Sequence, residues 1–417
     1  MRIFYRLSIS IYHILITLVS PFNTKAKQWK EGRVGLFEEL KTKCADAQNI
    51  VCFHCASLGE FEQGKPLMQK LKAEQPHLTI MVTFFSPSGY EVKKNDPVAD
   101  IITYLPIDTS KQMRRFLDIV NPLYIIFIKY EFWFNMIDEL AKRNIPFYYV
   151  SAIFRPEQLF FKPYGKWFVQ RLQKASYFFV QNEKSKELLN QIGIQKVEIT
   201  GDTRFDRVKT IATQQFQLDF VINFKSDSKL IVAGSTWKPD EQLLKQVLHS
   251  FSTKYKLMIA PHLIDAKHLN DLRNEYKAFK TVFYSEIKNQ PLAEYEVMII
   301  DTIGMLSKLY KYADISYVGG AFATGLHNIL EAAVYGVPLF FGPKYQKFNE
   351  AIELTELGGS FSINNATEMI NKITLFESNQ EEYQQVCTLC KQYVERNLGA
   401  CDKIHQTIDN EQLTMNN

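Results

Sequence analysis

Two glutamates, each just after an apolar run, are well placed for proton transfer. Glu60 lies in HCASLGE after the predicted strand Ile50–His54, and Glu131 lies in KYEFWF after Leu123–Phe127. A carboxylate in such a turn can act as general base for an acceptor hydroxyl. Glu60 could instead only complement the dipole of the following helix, and Glu131 could form a buried ion pair. The residues alone leave these alternatives open.

A second group of residues suits an anionic ligand. The apolar run Ile315–Val318 ends at Gly319-Gly320, and a small-residue loop leads to a predicted helix at Asn328–Tyr335, with Glu331 in its first turns. Glycines allow close backbone approach, a helix start offers N–H groups to a phosphate, and a carboxylate can bind ribose hydroxyls. Many α/β proteins have such a turn without a ligand, so nucleotide binding and a structural turn both remain open.

Further anion-binding positions lie near the middle of the chain. Arg204, in GDTRFD, could stabilise a departing phosphate, or it could pair with Asp202 or Asp206. Ser235 and Thr236 end a predicted strand and precede another helix start, where N–H groups favour an anion.

Several functions are disfavoured by residue type and charge. The segment 59–65 resembles a phosphate loop, but Pro66 stands where a magnesium-binding hydroxyl is needed, which argues against an NTPase. No cluster of acids and histidines has metal-ligand spacing, so we expect neither a metal nor a cofactor. The net charge of +4 is spread along the chain, which disfavours nucleic acid. The six cysteines are predicted to be free thiols.

The elements that position these residues form two series of strands alternating with helices. Apolar strands separated by helices predict an α/β fold with parallel sheets covered on both faces. The polar segment Lys209–Ser228 lies between the series, so we expect two Rossmann-like halves facing a central cleft. The other predicted strands are Thr79–Phe84, Phe147–Ser151, Tyr177–Val180, Val197–Thr200, Leu230–Ala233, Lys256–Ala260, Val297–Ile300 and Pro338–Phe341.

The N-terminus predicts contact with a membrane. Ile3–Phe22 is about as long as a bilayer span, but its polar residues form one helical stripe and basic residues flank it. A helix in the membrane interface or a tilted anchor fits this pattern, and a helix packed on its own domain is the alternative. Basic and aromatic residues also alternate over Arg155–Lys174, which suits a membrane surface, a phosphorylated lipid or a half-buried helix.

Together, ordered segments over nearly the whole chain resemble the Kdo transferase family, whose members move 3-deoxy-D-manno-octulosonic acid (Kdo) from CMP-Kdo to a lipid A precursor. The resemblance implies a GT-B fold, an inverting glycosyltransferase, and a cytoplasmic position on the inner membrane. The segments are HCASLGEFEQGKPL, TFFSPSGYE, YLPIDT, KYEFWFN, ITGDTRFD, AGSTWKPDE, DTIGMLSKLYKYADISYVGG and GLHNILEAAVYGVPLFFGP.

The resemblance also assigns roles to residues. Glu60 matches the family's catalytic base, Glu131 its second acid, and Arg204 the position of its lysine. The implied donor contacts are Pro261, His262, Ile303, Gly304, Met305, Asn328, Ile329, Leu330 and Glu331, with Ser235, Thr236, Gly325 and His327 as further candidates. The implied domains are an anchor or interfacial helix at 1–33, an acceptor domain at 34–208, and a CMP-Kdo domain at 209–417 whose last helix packs back on the acceptor domain.

Three positions depart from the family pattern. His262-Leu263 replaces Arg-His, Met305 replaces a glutamate, and Leu326 replaces a glycine. The lost arginine weakens a fixed phosphate clamp, and His262 or Lys267 is a candidate replacement. The expected partners are CMP-Kdo, a lipid A precursor and a membrane surface. A transferase using a UDP-sugar, similar to a lipid-A disaccharide synthase, and a non-catalytic nucleotide-binding module at the membrane are the alternatives.

Overall fold

Two parallel sheets of seven strands dominate the computed structural model, which describes residues 1–288, 290–323 and 325–416, without the side chains of residues 415 and 416. Each sheet lies in one of two units of the chain. Unit 1 comprises Met1–Arg207 and Leu398–Asn417, and unit 2 comprises Val208–Asn397.

The sheet of unit 1 has the strand order β3-β2-β1-β4-β5-β6-β7. Its central strands are apolar and buried on both faces, as a parallel sheet between helices requires. The strands are β1 Ile50–Cys55, β2 Thr79–Phe84, β3 Ile101–Tyr104, β4 Tyr124–Ile128, β5 Phe147–Ala152, β6 Tyr177–Val180 and β7 Val197–Ile199.

Among the described residues, ten helices begin within the first segment of unit 1, and the last helix of the chain also belongs to unit 1. They are α1 Arg2–Val19, α2 Thr24–Glu31, α3 Leu36–Cys44, α4 Leu58–Glu74, α5 Pro87–Lys93, α6 Ser110–Val120, α7 Phe134–Lys142, α8 Lys166–Leu172, α9 Glu183–Gln191, α10 Arg204–Thr213 and α19 Ala400–Asn416. The N-terminus of α19 is held by Asp206, whose carboxylate accepts from the N–H groups of Gly399 and Cys401 at 2.7 and 2.8 Å.

The sheet of unit 2 has the strand order β10-β11-β9-β8-β12-β13-β14. Its strands are β8 Lys229–Thr236, β9 Tyr255–Pro261, β10 Thr281–Phe283, β11 Val297–Ile299, β12 Ile315–Val318, β13 Leu339–Phe341 and β14 Ser360–Ser362. Its helices are α11 Asp219–Lys225, α12 Lys238–Phe251, α13 Ala266–Glu275, α14 Leu306–Leu309, α15 Leu330–Ala333, α16 Asn349–Glu356, α17 Ala366–Ser378 and α18 Gln380–Arg396.

All eleven predicted strands are present, with ends shifted by no more than a few residues. The sequence missed β3, β10 and β14, which are all edge strands. Each is only three or four residues long, although strands as short as β7, β11 and β13 were predicted. The helix predicted at Asn328–Tyr335 is also shorter than expected, because α15 holds only four residues and Gly336 follows with a φ of 68°.

Each sheet has a point at which the strand order reverses, and ligands of such sheets bind there, beyond the carboxyl ends of the strands. In unit 1 this point lies between β1 and β4, which are followed by Glu60 and Glu131. In unit 2 it lies between β8, which ends in Ser235-Thr236, and β12, which leads into the Gly-rich turn that begins at Gly319-Gly320. The topology thus places the predicted residues at the sheet edges where ligands of this type of sheet bind.

The N-terminal helix α1 lies along the surface of unit 1. Tyr5 donates to the buried Asp108 and Arg6 donates to Ser110 at 3.0 Å, while the Tyr12 ring packs 5.9 Å from that of Trp29. Within the described residues, α1 alone is long and apolar enough to cross a bilayer. No residue of α1 is buried, so its outer apolar face is open. The exposed large side chains of α1 are Ile3, Phe4, Leu7, Ile11, Tyr12, Ile14, Leu15, Leu18 and Val19.

Candidate active site

Glu60 begins α4 in a capping box with Ser57. Its Oε2 accepts from the Ser57 N–H at 2.8 Å and from the Ser57 hydroxyl at 3.2 Å, which satisfies two donors at the helix start. Among the described residues no hydrogen bond reaches its other oxygen, Oε1. The side chain is therefore held by one oxygen while the second stays available for a ligand proton.

The pKa of Glu60 is high for a carboxylate. Burial and then the charge of Glu131 raise its pKa to about 7, against the lowering effects of Lys129 and of the Ser57 hydrogen bonds. The residue is 8% exposed, so the loss of hydration is substantial. A pKa near neutrality suits a group that takes up a proton during turnover. Glu60 also caps α4, which is the structural role that the sequence predicted as the alternative.

Glu131 lies in the segment between β4 and α7, where its carboxylate meets two ring side chains. Its Oε2 accepts from the indole N–H of Trp133 at 3.1 Å and lies 3.6 Å from Nε2 of His54. The side chain is 15% exposed, so it is neither fully solvated nor deeply buried. The tertiary structure brings Glu60 and Glu131 to the same edge of the sheet, where their charges interact.

Lys129 takes a left-handed backbone conformation, with a φ of 63°, directly after β4. A non-glycine residue in this region is strained, and such strain is common at functional sites. Its charge lowers the pKa of both Glu60 and Asp202, so it is electrostatically close to both carboxylates. Lys129 was not among the predicted site residues, because its backbone conformation and its distance to the two carboxylates are tertiary features.

Arg204 pairs with Asp202, as one of the predicted alternatives stated. Its Nε and one terminal nitrogen lie 2.9 and 2.7 Å from Oδ2 of Asp202. The other oxygen of Asp202 accepts from the amide of Gln63 in α4 at 2.7 Å. The guanidinium, 23% exposed, is thus oriented by a buried carboxylate that is itself fixed to the helix of Glu60.

In unit 2, three rings come together at the carboxyl ends of β8, β9 and β12. The ring of His262 stacks on those of Trp237 and His327, with centroids 4.7 and 4.5 Å apart. The Trp237 indole N–H donates to Nε2 of His327 at 3.3 Å, which leaves the proton of the neutral imidazole on Nδ1. Trp237 was not among the predicted site residues, although it is the single tryptophan of unit 2.

The two histidines of this stack are neutral at physiological pH. Burial lowers the pKa of His262, and burial together with the neighbouring His262 lowers the pKa of His327 to about 4. His262, where the resemblance implies an arginine, therefore carries no permanent charge. The other candidate replacement, Lys267, lies exposed in the first turn of α13.

In the Gly-rich turn after β12, several backbone N–H groups donate hydrogen bonds to acceptors within the protein. The N–H of Gly319 donates to Gly234, that of Gly320 donates to the buried Asp240, and that of His327 donates to Gly319. These N–H groups are therefore not available to a phosphate, whereas the predicted phosphate donors are those of the helix start that follows. A Cβ on Gly319 would lie 2.5 Å from the carbonyl oxygen of Ser235, so this glycine serves close packing.

The remaining residues expected to contact the donor differ in what they can offer. The Asn328 side chain accepts from the Leu330 N–H at 3.2 Å and donates to Glu331 at 3.2 Å. Ile329 and Leu330 are fully buried, so only their backbones can meet a ligand. Within the described residues the N–H groups of 328 and 329 have no protein acceptor. They lie at the helix start, where backbone N–H groups suit an anion.

Other predicted positions lie along the same edge of the sheet. Ile303 is 84% exposed in the loop after β11, Gly304 has a φ of 93°, and Met305 is the N-cap residue of α14. Ser235 has a left-handed φ of 54°, and the buried Thr236 donates to Glu241 at 3.1 Å. The remaining positions lie at the end of β9 and in the turn after β12: Pro261 and Gly325.

The structure also bears on the phosphate loop and the metal site, which the sequence disfavours. Residues 59–65 form the first turns of α4 rather than a loop, and Lys65 pairs with Asp96 at 2.7 Å, so the segment is not a phosphate loop. In the part of the chain that the structure describes, no three His, Cys, Asp or Glu residues cluster as a metal site would require.

Comparisons with known proteins agree over most of the chain. Residues 27–207 match the family model of 3-deoxy-D-manno-octulosonic-acid transferase (kdotransferase). The 3-deoxy-D-manno-octulosonic acid transferase of Haemophilus influenzae is 27% identical over 416 residues, covering 92% of this chain and 95% of its own. A bifunctional glycosyltransferase/methyltransferase of Fusobacterium nucleatum is 27% identical over 392 residues, covering 89% of this chain; the match spans 59% of that longer protein.

Among solved structures, the UDP-GlcNAc 2-epimerase from Neisseria meningitidis bound to UDP-GlcNAc has a similar fold. The TM-score is 0.61, and the match covers 87% of this chain and 99% of that one at 16% identity. The likeness and the two seven-stranded parallel sheets establish a GT-B type of fold with two Rossmann-like units. At this identity the likeness reports the fold alone.

Proposed function

We propose that this chain, which belongs to the Kdo transferase family and is a glycosyltransferase, moves Kdo from CMP-Kdo to the lipid A precursor lipid IVA. Unit 1 would handle the acceptor and unit 2 the donor. The observation that carries the proposal is Glu60, a carboxylate with a pKa of about 7 at the ligand-binding edge of unit 1. Its free oxygen and its proton affinity are those of a general base.

In the proposed reaction Oε1 of Glu60 takes the proton of a sugar hydroxyl on the acceptor. The acceptor oxygen then forms a bond to the anomeric carbon of Kdo while the bond to the phosphate oxygen of CMP breaks. Attack from the face opposite CMP inverts the configuration. Glu131 supports the positive charge that develops on the sugar, and the guanidinium of Arg204 supports the negative charge on the departing CMP.

Unit 2 offers the groups that a nucleotide needs. The exposed ring of His262 provides a flat surface, and its neutral state means that it acts by stacking and hydrogen bonding rather than by charge. The free N–H groups of residues 328 and 329 can meet the phosphate, and Glu331 the ribose hydroxyls. In this proposal Trp237 and His327 hold the ring of His262 in place by stacking against it.

The acceptor is a lipid, so the chain has to work at a membrane. The outer face of α1 presents a row of exposed apolar side chains, while its polar side contacts unit 1 through Tyr5 and Arg6. The Tyr5 ring also packs 6.0 Å from Trp167, within the basic and aromatic segment Arg155–Lys174. We propose that α1 lies in the cytoplasmic interface of the inner membrane.

The test is incubation of the full-length protein with CMP-Kdo and a tetra-acylated lipid A precursor in mixed micelles, followed by mass spectrometry. A product heavier by one or more Kdo residues is expected, and CMP should inhibit its formation while UDP should not. Glu60→Gln should abolish the product, whereas Glu74→Gln, at the other end of α4, should not. Transfer from a UDP-sugar instead, or nucleotide binding without turnover, would contradict the proposal.

A further inference from the structure

The carboxylate of Glu131 is held by a buried network that the assigned site residues do not include. The indole N–H of Trp133 lies 2.8 Å from Nε2 of His54 and 3.1 Å from Oε2 of Glu131, so one donor is shared between two acceptors. His54 is 1% exposed on β1, and the backbone of Trp133 caps α7. This shared hydrogen bond connects the end of β1 with the segment after β4 through side chains.

The hydrogen bonds assign the state of His54. Its Nδ1 lies 2.9 Å from the Thr83 hydroxyl, and that hydroxyl lies 3.3 Å from the carbonyl oxygen of Phe53. The carbonyl can only accept, so the hydroxyl donates to it and accepts from Nδ1–H. Nε2 is then the acceptor nitrogen, which agrees with its contact to the Trp133 N–H. The network fits a neutral imidazole with its proton on Nδ1.

The rings around this network restrict its motion. Trp133 packs against Phe85 at 4.7 Å and edge-to-face against His54 at 5.6 Å. Glu131 itself lies in a segment without helix or strand, after the strained Lys129, so no regular backbone pairing fixes its position. Its side-chain direction therefore depends on its hydrogen-bond donor and on the rings that hold that donor.

We propose that Trp133 and His54 are positioning residues that aim the Glu131 carboxylate at the reacting sugar. The inference rests on the role given to Glu131 in the proposed function. The indole N–H holds Oε2, and His54 holds the indole by accepting the same proton from the other side. Among the described residues no hydrogen bond reaches the second oxygen of Glu131, so that oxygen is left for the sugar. Removing the donor frees the carboxylate to rotate and weakens transfer without removing any group that touches the substrate.

The kinetic test is a double-mutant cycle in the full-length protein. Trp133→Phe keeps most of the ring and removes the N–H, and should lower kcat about 10- to 100-fold, as expected for a hydrogen bond to a charged group, with KM for CMP-Kdo little changed. In a Glu131→Ala background the same change should cost no more than roughly twofold. Equal losses in both backgrounds would show a merely structural role and overturn the inference.

Trp29→Phe is the matched control. The indole N–H of Trp29 is buried and has no hydrogen-bond partner within the described residues, so the same substitution removes a donor that makes no bond. Its kcat should stay near the wild-type value. Full activity of Trp133→Phe would contradict the inference while leaving the proposed function intact. A wild-type chain that transfers no Kdo would overturn the proposed function and the positioning role together.

A second readout does not depend on activity. The chain has four tryptophans, so 5-fluorotryptophan labelling gives four ¹⁹F resonances, which single Trp→Phe variants assign. Glu131→Gln and His54→Phe should each shift the resonance of Trp133 and leave that of Trp29 unchanged. A Trp133 resonance that moves in neither variant would show that its N–H is not shared between these residues, and would also overturn the inference.

Discussion

Arg204 contacts one oxygen of Asp202 through two nitrogens, at 2.9 and 2.7 Å. Both groups are poorly exposed, and Gln63 fixes the other oxygen at 2.7 Å. The guanidinium is therefore oriented before any ligand arrives, which lowers the entropic cost of presenting it to a leaving group.

Arg204→Lys should lower kcat about 10- to 100-fold, because lysine keeps the charge but cannot contact Asp202 as a planar fork. Asp202→Asn should lower the free energy of unfolding by about 3 kcal/mol, since it leaves a partly buried cation uncompensated. Steady-state kinetics and denaturant unfolding measure the two effects. Arg143→Lys is the control, because its pair with Asp118 is at the surface; an equal loss there would refute a special role for Arg204.

The pH profile of transfer should show a rising limb near pH 7, because Glu60 must be ionised to accept a proton and its pKa is about 7. Glu131→Gln should move this limb to lower pH, since the charge of Glu131 helps to raise that pKa. The measurement is kcat/KM for the acceptor from pH 5 to 9. A limb that stays in place in Glu131→Gln would show that the two carboxylates are not coupled.

The same pKa predicts how stability depends on pH. The folded protein holds the proton of Glu60 more tightly than the unfolded chain, so stability falls as pH rises from about 4.5 to about 7. Glu60→Gln keeps the capping box and should gain up to roughly 3 kcal/mol over wild type at pH 8, and nothing below pH 4.5. Thermal unfolding of both proteins across this range is the measurement. A constant difference at all pH values would contradict the assignment.

Binding of CMP should not depend on a histidine charge. The lowered pKa values of His262 and His327 mean that both are already neutral at pH 7, so affinity should change little between pH 7 and 9. His262→Ala should weaken CMP about tenfold by removing one stacking surface. Calorimetry measures both, with the exposed His249→Ala as control. Affinity that falls steeply above pH 7 would indicate a charged clamp instead.

Membrane binding should depend on the outer face of α1. Replacing Leu7, Ile11 and Leu15 with serine removes apolar side chains that are 51%, 54% and 54% exposed, and should reduce co-sedimentation with anionic vesicles by at least about tenfold. The folded state should be unaffected, because these side chains face outward. Leu375→Ser, at an exposed site in unit 2, is the control. Unchanged binding of the triple variant would place the membrane contact elsewhere.

The sequence was sufficient for the fold class and for the positions of the strands that form the middle of each sheet. A strand buried on both faces has to be apolar along its whole length, so β1, β4, β8 and β12 are visible as local patterns. Glu60 and Glu131 were visible for a related reason, as acidic residues in the short segments that follow such runs. The sequence did not predict β3, β10 and β14, which lie at the sheet edges.

Only the tertiary structure decided which residues meet. Trp133 and His54 are 79 residues apart, and Trp237 and His327 are 90 apart, so no local pattern predicts that one donates to the other. The sequence left open whether the glycines after β12 approach a ligand or form a structural turn, and only the structure shows that the N–H groups of Gly319 and Gly320 donate within the fold. Hydrogen bonding and pKa depend on distance and burial in space, and those are fixed by the packing of strands that are distant in sequence.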